Sequence, residues 1–207
     1  MTSDRKLDPI LAFLVRLLLR PKVYYAQPEQ KGPETEPCIY IANHTSHLDG
    51  PLITTALRKA KIHNLAAKDR FEQPSFGFFL RHTGCIPIDR ERADTSWIHE
   101  SIRVLREEKE SVCIFPEGRH GSHRQQLPFH PGAAMLAALS GAPLVMVYVD
   151  GPVKLCRQSK MIVSAPFRLD PPTAGIDTEY LMGQTQALQS RMKDLMDQFI
   201  KTECSPR

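Results

Sequence analysis

Short apolar runs alternate with segments of helical period along most of this chain, and that alternation is the strongest limit on its fold. Residues 38–42 (Cys-Ile-Tyr-Ile-Ala), 61–67, 85–88, 112–115 and 144–149 read as strands, with 161–169 a possible further one. Residues 51–59, 75–82, 95–109 and 132–140 have helical character, and 177–201 forms a long final helix. Ile98, Ile102 and Leu105 make one stripe, and Leu181, Leu188, Met192, Leu195 and Phe199 make another. Apolar side chains at this spacing set one helix face against a core. Strands separated by helices return by crossovers and pair in parallel. The expected fold class is therefore α/β, a single domain with a mostly parallel sheet flanked by helices. Pro87 places its strand near an edge or a bend.

An N-terminal amphipathic helix precedes the sheet. Pro9 suits its first turn and Pro21 stops it. Ile10, Phe13, Leu14, Leu17 and Leu18 share a face, Leu11, Val15 and Leu19 spill around it, and Arg16 and Arg20 form a narrow polar edge. Such a helix fits a membrane interface, and it equally fits as a cap over the core or a partner helix. The chain divides into this helix, residues 1–22, and a main domain, residues 23–207, with 27–37 a polar connector. No apolar stretch approaches the ~20 residues that span a bilayer, and no small-residue cleavage site follows the short apolar run. Any membrane contact is expected to be peripheral.

The 207 residues carry a formal net charge of +4, which would help hold an anionic substrate or surface and by itself is equally a surface slightly richer in Lys and Arg. No dense basic run interleaves with aromatics, so nucleic acid is not an expected partner. Five cysteines, Cys38, Cys85, Cys113, Cys156 and Cys204, include no CxxC pair. They read as reduced thiols of a cytoplasmic chain.

Three constellations carry chemistry. The first is Asn43-His44-Thr45-Ser46-His47-Leu48-Asp49, between a strand and a helix. If the chain folds back at Thr45 and Ser46, Asp49 accepts a hydrogen bond from one His44 nitrogen and leaves the other to act as a base. Taken alone, the same residues also make a helix cap beside an incidental histidine. His44, His47 and Asp49 lack a helical i, i+4 metal-ligand spacing, and no metal is expected. His47 reads as a surface histidine. The second constellation is Gly84-Cys-Ile-Pro-Ile-Asp-Arg90, in which an arginine just past a strand can hold phosphate through paired hydrogen bonds. A solvated Asp89–Arg90 pair is the plain alternative. The third is Phe115-Pro-Glu-Gly-Arg-His-Gly-Ser122, where glycines permit close backbone approach and Glu117 and Arg119 can meet a hydroxyl and an anion.

In order and spacing the three together resemble the glycerolipid acyltransferase family, whose best-known member acylates lysophosphatidate. That family carries Asn-His, four residues and Asp, then Gly-x-Ile-x-x-Asp-Arg, then Phe-Pro-Glu-Gly. Lys68 resembles a further family lysine, and the likeness covers about residues 38–149. After Glu-Gly the family has Thr-Arg-Ser, where this chain has Arg119-His120-Gly121.

The resemblance implies transfer of a fatty acyl group from acyl-CoA or acyl carrier protein to a hydroxyl of a lysophospholipid, in phospholipid synthesis. It implies no cofactor and no covalent acyl-enzyme. His44 is the implied base and Asp49 its orienting partner. Arg90 is the implied phosphate ligand. Asn43, Ser46, Lys68, Gly84, Glu117, Gly118 and Arg119 are the further expected substrate contacts. Backbone N–H groups at the helix start would steady the oxyanion. A thioesterase, or a phospholipid transacylase, would use the same pair. The expected location is the inner face of a membrane.

Overall fold

A computed structural model describes residues 9–27, 29, 36–89, 94–172 and 175–204. Helix α1 (Pro9–Leu19) is followed by β1 (Pro21–Tyr25), β2 (Ile39–Ala42), α2 (Asp49–Ala56), β3 (Ile62–Ala67), α3 (Pro74–His82) and β4 (Ile86–Ile88). Then come α4 (Ser96–Arg103), β5 (Ser111–Ile114), α5 (Gly132–Ser140), β6 (Leu144–Asp150), β7 (Ser159–Val163) and α6 (Thr178–Cys204). One seven-stranded sheet runs in the order β1-β7-β6-β2-β5-β3-β4. Every neighbouring pair is parallel except β6–β7.

The apolar runs are continuous because the sheet is covered on both faces. In β2 alternate residues go to opposite sides. Ile39 and Ile41 join Trp97, Leu136, Met192 and Phe199 from α4, α5 and α6. Tyr40 and Ala42 join Leu52 and Ile53 of α2 and Leu19 of α1. The result is three layers with β2 at the centre. Cys38, Cys85 and Cys113 are buried, and Cys156 is exposed.

The structure departs from the sequence reading in four places. Pro21 both stops α1 and opens β1, a strand the pattern did not reveal. Among the described residues it pairs only with β7, and a proline is tolerated at the first position of such an edge strand. Helix α2 begins at Asp49 rather than at Pro51. The stretch 95–109 is α-helical only to Arg103 and closes in a π turn, Val104–Glu108. The last strand ends at Val163, with Phe167 adding a single bridge to Leu144. Pro87 lies on the edge strand β4, where its missing N–H costs no ladder bond.

Candidate active site

The chain leaves β2 toward β3 through α2 on one face of the sheet, and leaves adjacent β5 toward β6 through α5 on the other. Connections that part in this way open a crevice beyond the carboxyl ends of the strands, where α/β proteins bind ligands. Residues 43–49 and 115–121, which follow β2 and β5, meet in that crevice. Gly121 N–H donates to the His44 carbonyl at 2.7 Å, and the His44 ring stacks on Phe115 with centroids 4.2 Å apart.

Asp49 is fully buried and surrounded by donors. Its Oδ2 accepts from His44 Nδ1 at 3.0 Å, Thr45 N–H at 2.6 Å and Ser46 N–H at 2.8 Å. Its Oδ1 accepts from Ser46 Oγ at 3.0 Å and Thr45 Oγ1 at 3.3 Å. A buried carboxylate is tolerable only when satisfied in this way. The arrangement presents Nδ1–H to Asp49 and leaves Nε2 of His44 for a reacting group. Gly151 is part of the same fit, since a β-carbon there would lie 1.8 Å from Thr45 Oγ1.

The pair opens onto a cavity of about 270 Å³. Its walls are mainly apolar, including Val15 of α1, Pro51, Leu65, Phe76, Phe79 and Leu80. Its mouth is polar, formed by His47, Arg70, Gly118, Arg119 and His120 beside His44. The rings of His44, His120 and His47 touch in series, with centroids 4.1 and 4.3 Å apart. Burial, then the neighbouring His44 and His47, push His120 down to about 4. Burial and then Arg70 lower His47. Both rings are therefore neutral near pH 7.

Glu117 is 2% exposed, and among the described residues no hydrogen-bond partner stands at either carboxylate oxygen. Burial pushes it up from 4.5 to about 7; the nearby N–H groups of His44 and Leu127 draw it back only in part, and the Asp49 charge adds to the rise. A folded-state value above the unfolded one stabilises the fold below the unfolded value, and that contribution is lost as pH rises through about 7. Glu117→Gln should therefore lose less Tm than the parent chain between pH 5 and pH 8 and be the more stable of the two at pH 8. Parallel Tm curves would show that Glu117 is not held neutral by burial.

The remaining expected contacts fall in different places. Asn43 does not reach the cavity wall: its amide bonds both Val149 N–H, at 2.7 Å, and Val149 C=O, at 3.0 Å, tying β2 to β6. Ser46 Oγ is committed to Asp49 and to Leu48 N–H, so it positions the aspartate. Gly84 turns the chain into β4 at φ +70° and its carbonyl accepts from His63. It is conformational, and it lies outside the cavity lining. Lys68 is exposed, 3.6 Å from Asp89. Arg90 lies outside the described residues. Sequence reasoning missed Arg70 and His120; His47 is exposed, as read, and also lines the cavity. Arg70 sits two positions past Lys68 in a short 3-10 segment with no periodic signal, and His120 stands within the third block, where the family's arginine would fall.

A histidine–aspartate pair beside a largely apolar pocket, in the strand-end crevice of a mostly parallel sheet, is the geometry of an enzyme site. Residues 23–150 match the acyltransferase family model, and the chain belongs to that family, whose members are O-acyltransferases. It is 30% identical over 162 residues to the 1-acyl-sn-glycerol-3-phosphate acyltransferase of Bacillus subtilis, covering 76% of this chain and 80% of that one. The Streptococcus pneumoniae enzyme of the same name is 29% identical over 156 residues, 74% of this chain and 58% of its own length. The crystal structure of the 1-acyl-sn-glycerophosphate (LPA) acyltransferase from Thermotoga maritima shares the fold, with a TM-score of 0.62 at 18% identity, covering 95% of this chain and 81% of that one.

Proposed function

We propose that this chain acylates the free hydroxyl of a 1-acylglycerol-3-phosphate, or a closely related lysophospholipid, using an acyl thioester of coenzyme A or acyl carrier protein. The observation that carries this reading is the His44–Asp49 pair at the mouth of an apolar cavity about 270 Å³ in volume. The names of the similar enzymes supply the acceptor class.

In the proposed step, His44 Nε2 takes the hydroxyl proton as the oxygen bonds to the thioester carbonyl carbon. The tetrahedral oxyanion collapses, the C–S bond breaks, and the proton on His44 passes to the leaving thiolate. No group beyond donor and acceptor enters the balance. The N–H groups of Thr45, Ser46, Leu48 and Asp49 are already bonded within the 43–49 turn, so those donors at the helix start do not serve the oxyanion. Arg119 and His120 at the mouth are the better-placed donors. Arg70 joins Arg90 as a candidate ligand for the acceptor phosphate. The apolar walls take the acyl chain.

One labelled acyl thioester incubated with a panel of acceptors, read by mass spectrometry, tests the reading. Acylated lysophosphatidate is the expected product. Free fatty acid without acylated acceptor would identify a thioesterase, and acylation without added thioester would identify a transacylase.

The proposal extends to the membrane. Phe13 is 63% and Leu17 61% exposed on α1, with Leu14 and Leu18 also exposed beside them. Among the described residues no helix is long and apolar enough to cross a membrane. Val15 of the same helix lines the cavity, so a lipid surface under α1 would lie next to the entrance. The full chain should float with vesicles containing anionic lipid, and the Phe13→Gln, Leu17→Gln double variant should stay behind. Equal flotation of the two would end the assignment of α1 as the contact.

A further inference from the structure

A second cluster of titratable groups lies at the opposite edge of the sheet, at the amino ends of β3 and β5. His63 is the second residue of β3, Glu110 immediately precedes β5, and Glu108 closes the π turn after α4. His63 Nε2 is 2.7 Å from Glu110 Oε2 and 3.8 Å from Glu108 Oε2. One ligand atom from each of the three lies within 4.8 Å of the others. None of the three lines the cavity described above.

The other ring nitrogen of His63 lies 2.8 Å from the Gly84 carbonyl. A carbonyl only accepts, so Nδ1 carries a proton. Nε2 then faces a carboxylate oxygen of Glu110 2.7 Å away. Two lone pairs at that distance repel unless a proton or a cation lies between them. The surroundings hold the carboxylates in place as a ligand set would be held. Each carboxylate has one oxygen held by a basic residue, Glu110 Oε1 by Lys61 at 3.2 Å and Glu108 Oε1 by Arg103 at 2.7 Å. Its other oxygen faces His63. Metal-binding histidines characteristically donate their second N–H to a backbone carbonyl, and their carboxylate partners are held from outside in the same manner. The π turn, a rare element often found at functional sites, brings the two glutamates to one histidine.

We propose that His63, Glu108 and Glu110 bind a divalent transition-metal cation, with zinc the best match to one imidazole and two carboxylates. Ligand atoms around a tetrahedral zinc lie about 3.3 Å apart for bonds near 2.0 Å. Glu110 therefore moves out by about half an ångström from 2.7 Å, and Glu108 moves in by a similar amount from 3.8 Å. The ion would tie the start of β3 to the end of the α4 segment and the entry to β5, on the far side of the sheet from His44. Its role is structural.

The full chain, stripped with chelator and exchanged into metal-free buffer, is titrated with zinc chloride by calorimetry, and Tm is read with and without zinc. One site is expected, with Tm rising by roughly 5 °C at a hundredfold excess over Kd. Glu108→Gln and His63→Gln should each weaken binding at least about tenfold. His120→Ala, which breaks the imidazole series at the cavity mouth, should leave it unchanged. Glu108 is exposed, so its variant keeps the test if His63→Gln fails to fold. Absence of heat and of any Tm shift would reduce the cluster to an imidazolium–carboxylate pair. Binding that survives Glu108→Gln, or that disappears in His120→Ala, would also overturn the proposal. None of these readouts depends on acyl transfer.

Discussion

Replacing His44 with alanine is expected to lower kcat for acyl transfer by about 10³-fold or more, in the upper part of the range for loss of a general base. The circular dichroism spectrum and Tm should change little. His44 is a partly exposed ring at the cavity mouth, and its contacts with Phe115 and His120 are ring contacts rather than core packing. Its backbone carbonyl, which accepts from Gly121 N–H, survives the substitution. Binding of the lipid product, followed by calorimetry, should also survive, because the apolar walls lie beyond the histidine. Turnover within about tenfold of the parent chain would remove His44 from the proton transfer.

Asp49→Asn is expected to be almost as damaging, by a different route. The substitution keeps the shape and removes the charge. An asparagine has one acceptor oxygen, whereas Asp49 receives donors at both oxygens. An amide nitrogen turned toward Ser46 Oγ reverses that bond. Turned the other way, it faces His44 Nδ1 with a donor and favours the tautomer that blocks Nε2 as a base. A drop in kcat of about 10²- to 10⁴-fold is expected, together with a lower Tm, because two backbone N–H groups lose an ionised acceptor in a buried turn. A variant with lowered Tm but normal kcat would show Asp49 to be a purely structural organiser of the 43–49 turn.

The legible parts of the chain were those set by local pattern. β2, β5 and β6 appear as apolar runs because both faces of a central strand are buried, which leaves few polar residues to blur the signal. The stripe in α6 gave the buried Leu188, Met192, Leu195 and Phe199. β1 was not legible because an edge strand of five half-buried residues has little pattern, and its first residue, Pro21, carried a stronger signal as a helix stop. The π turn was not legible because its residues, Val-Leu-Arg-Glu-Glu, continue the helical pattern of α4 without a break.

The site divides in the same way. His44 and Asp49 stand five residues apart, and a single turn brings them to 3.0 Å, so the sequence alone could name the pair and a reason for it. Three blocks in order were enough to place the family. Tertiary structure decided which neighbours touch. It turned the Asn43 amide onto Val149. It also buried Glu117, with no hydrogen-bond partner among the described residues, and lined up His47, His120 and Arg70 around the mouth. Spacing along a chain fixes only what one turn can reach. The order of the strands in the sheet fixes everything that two distant segments share, and here it set the crevice between β2 and β5, the walls of the cavity, and the meeting of His63 with two glutamates at the opposite edge.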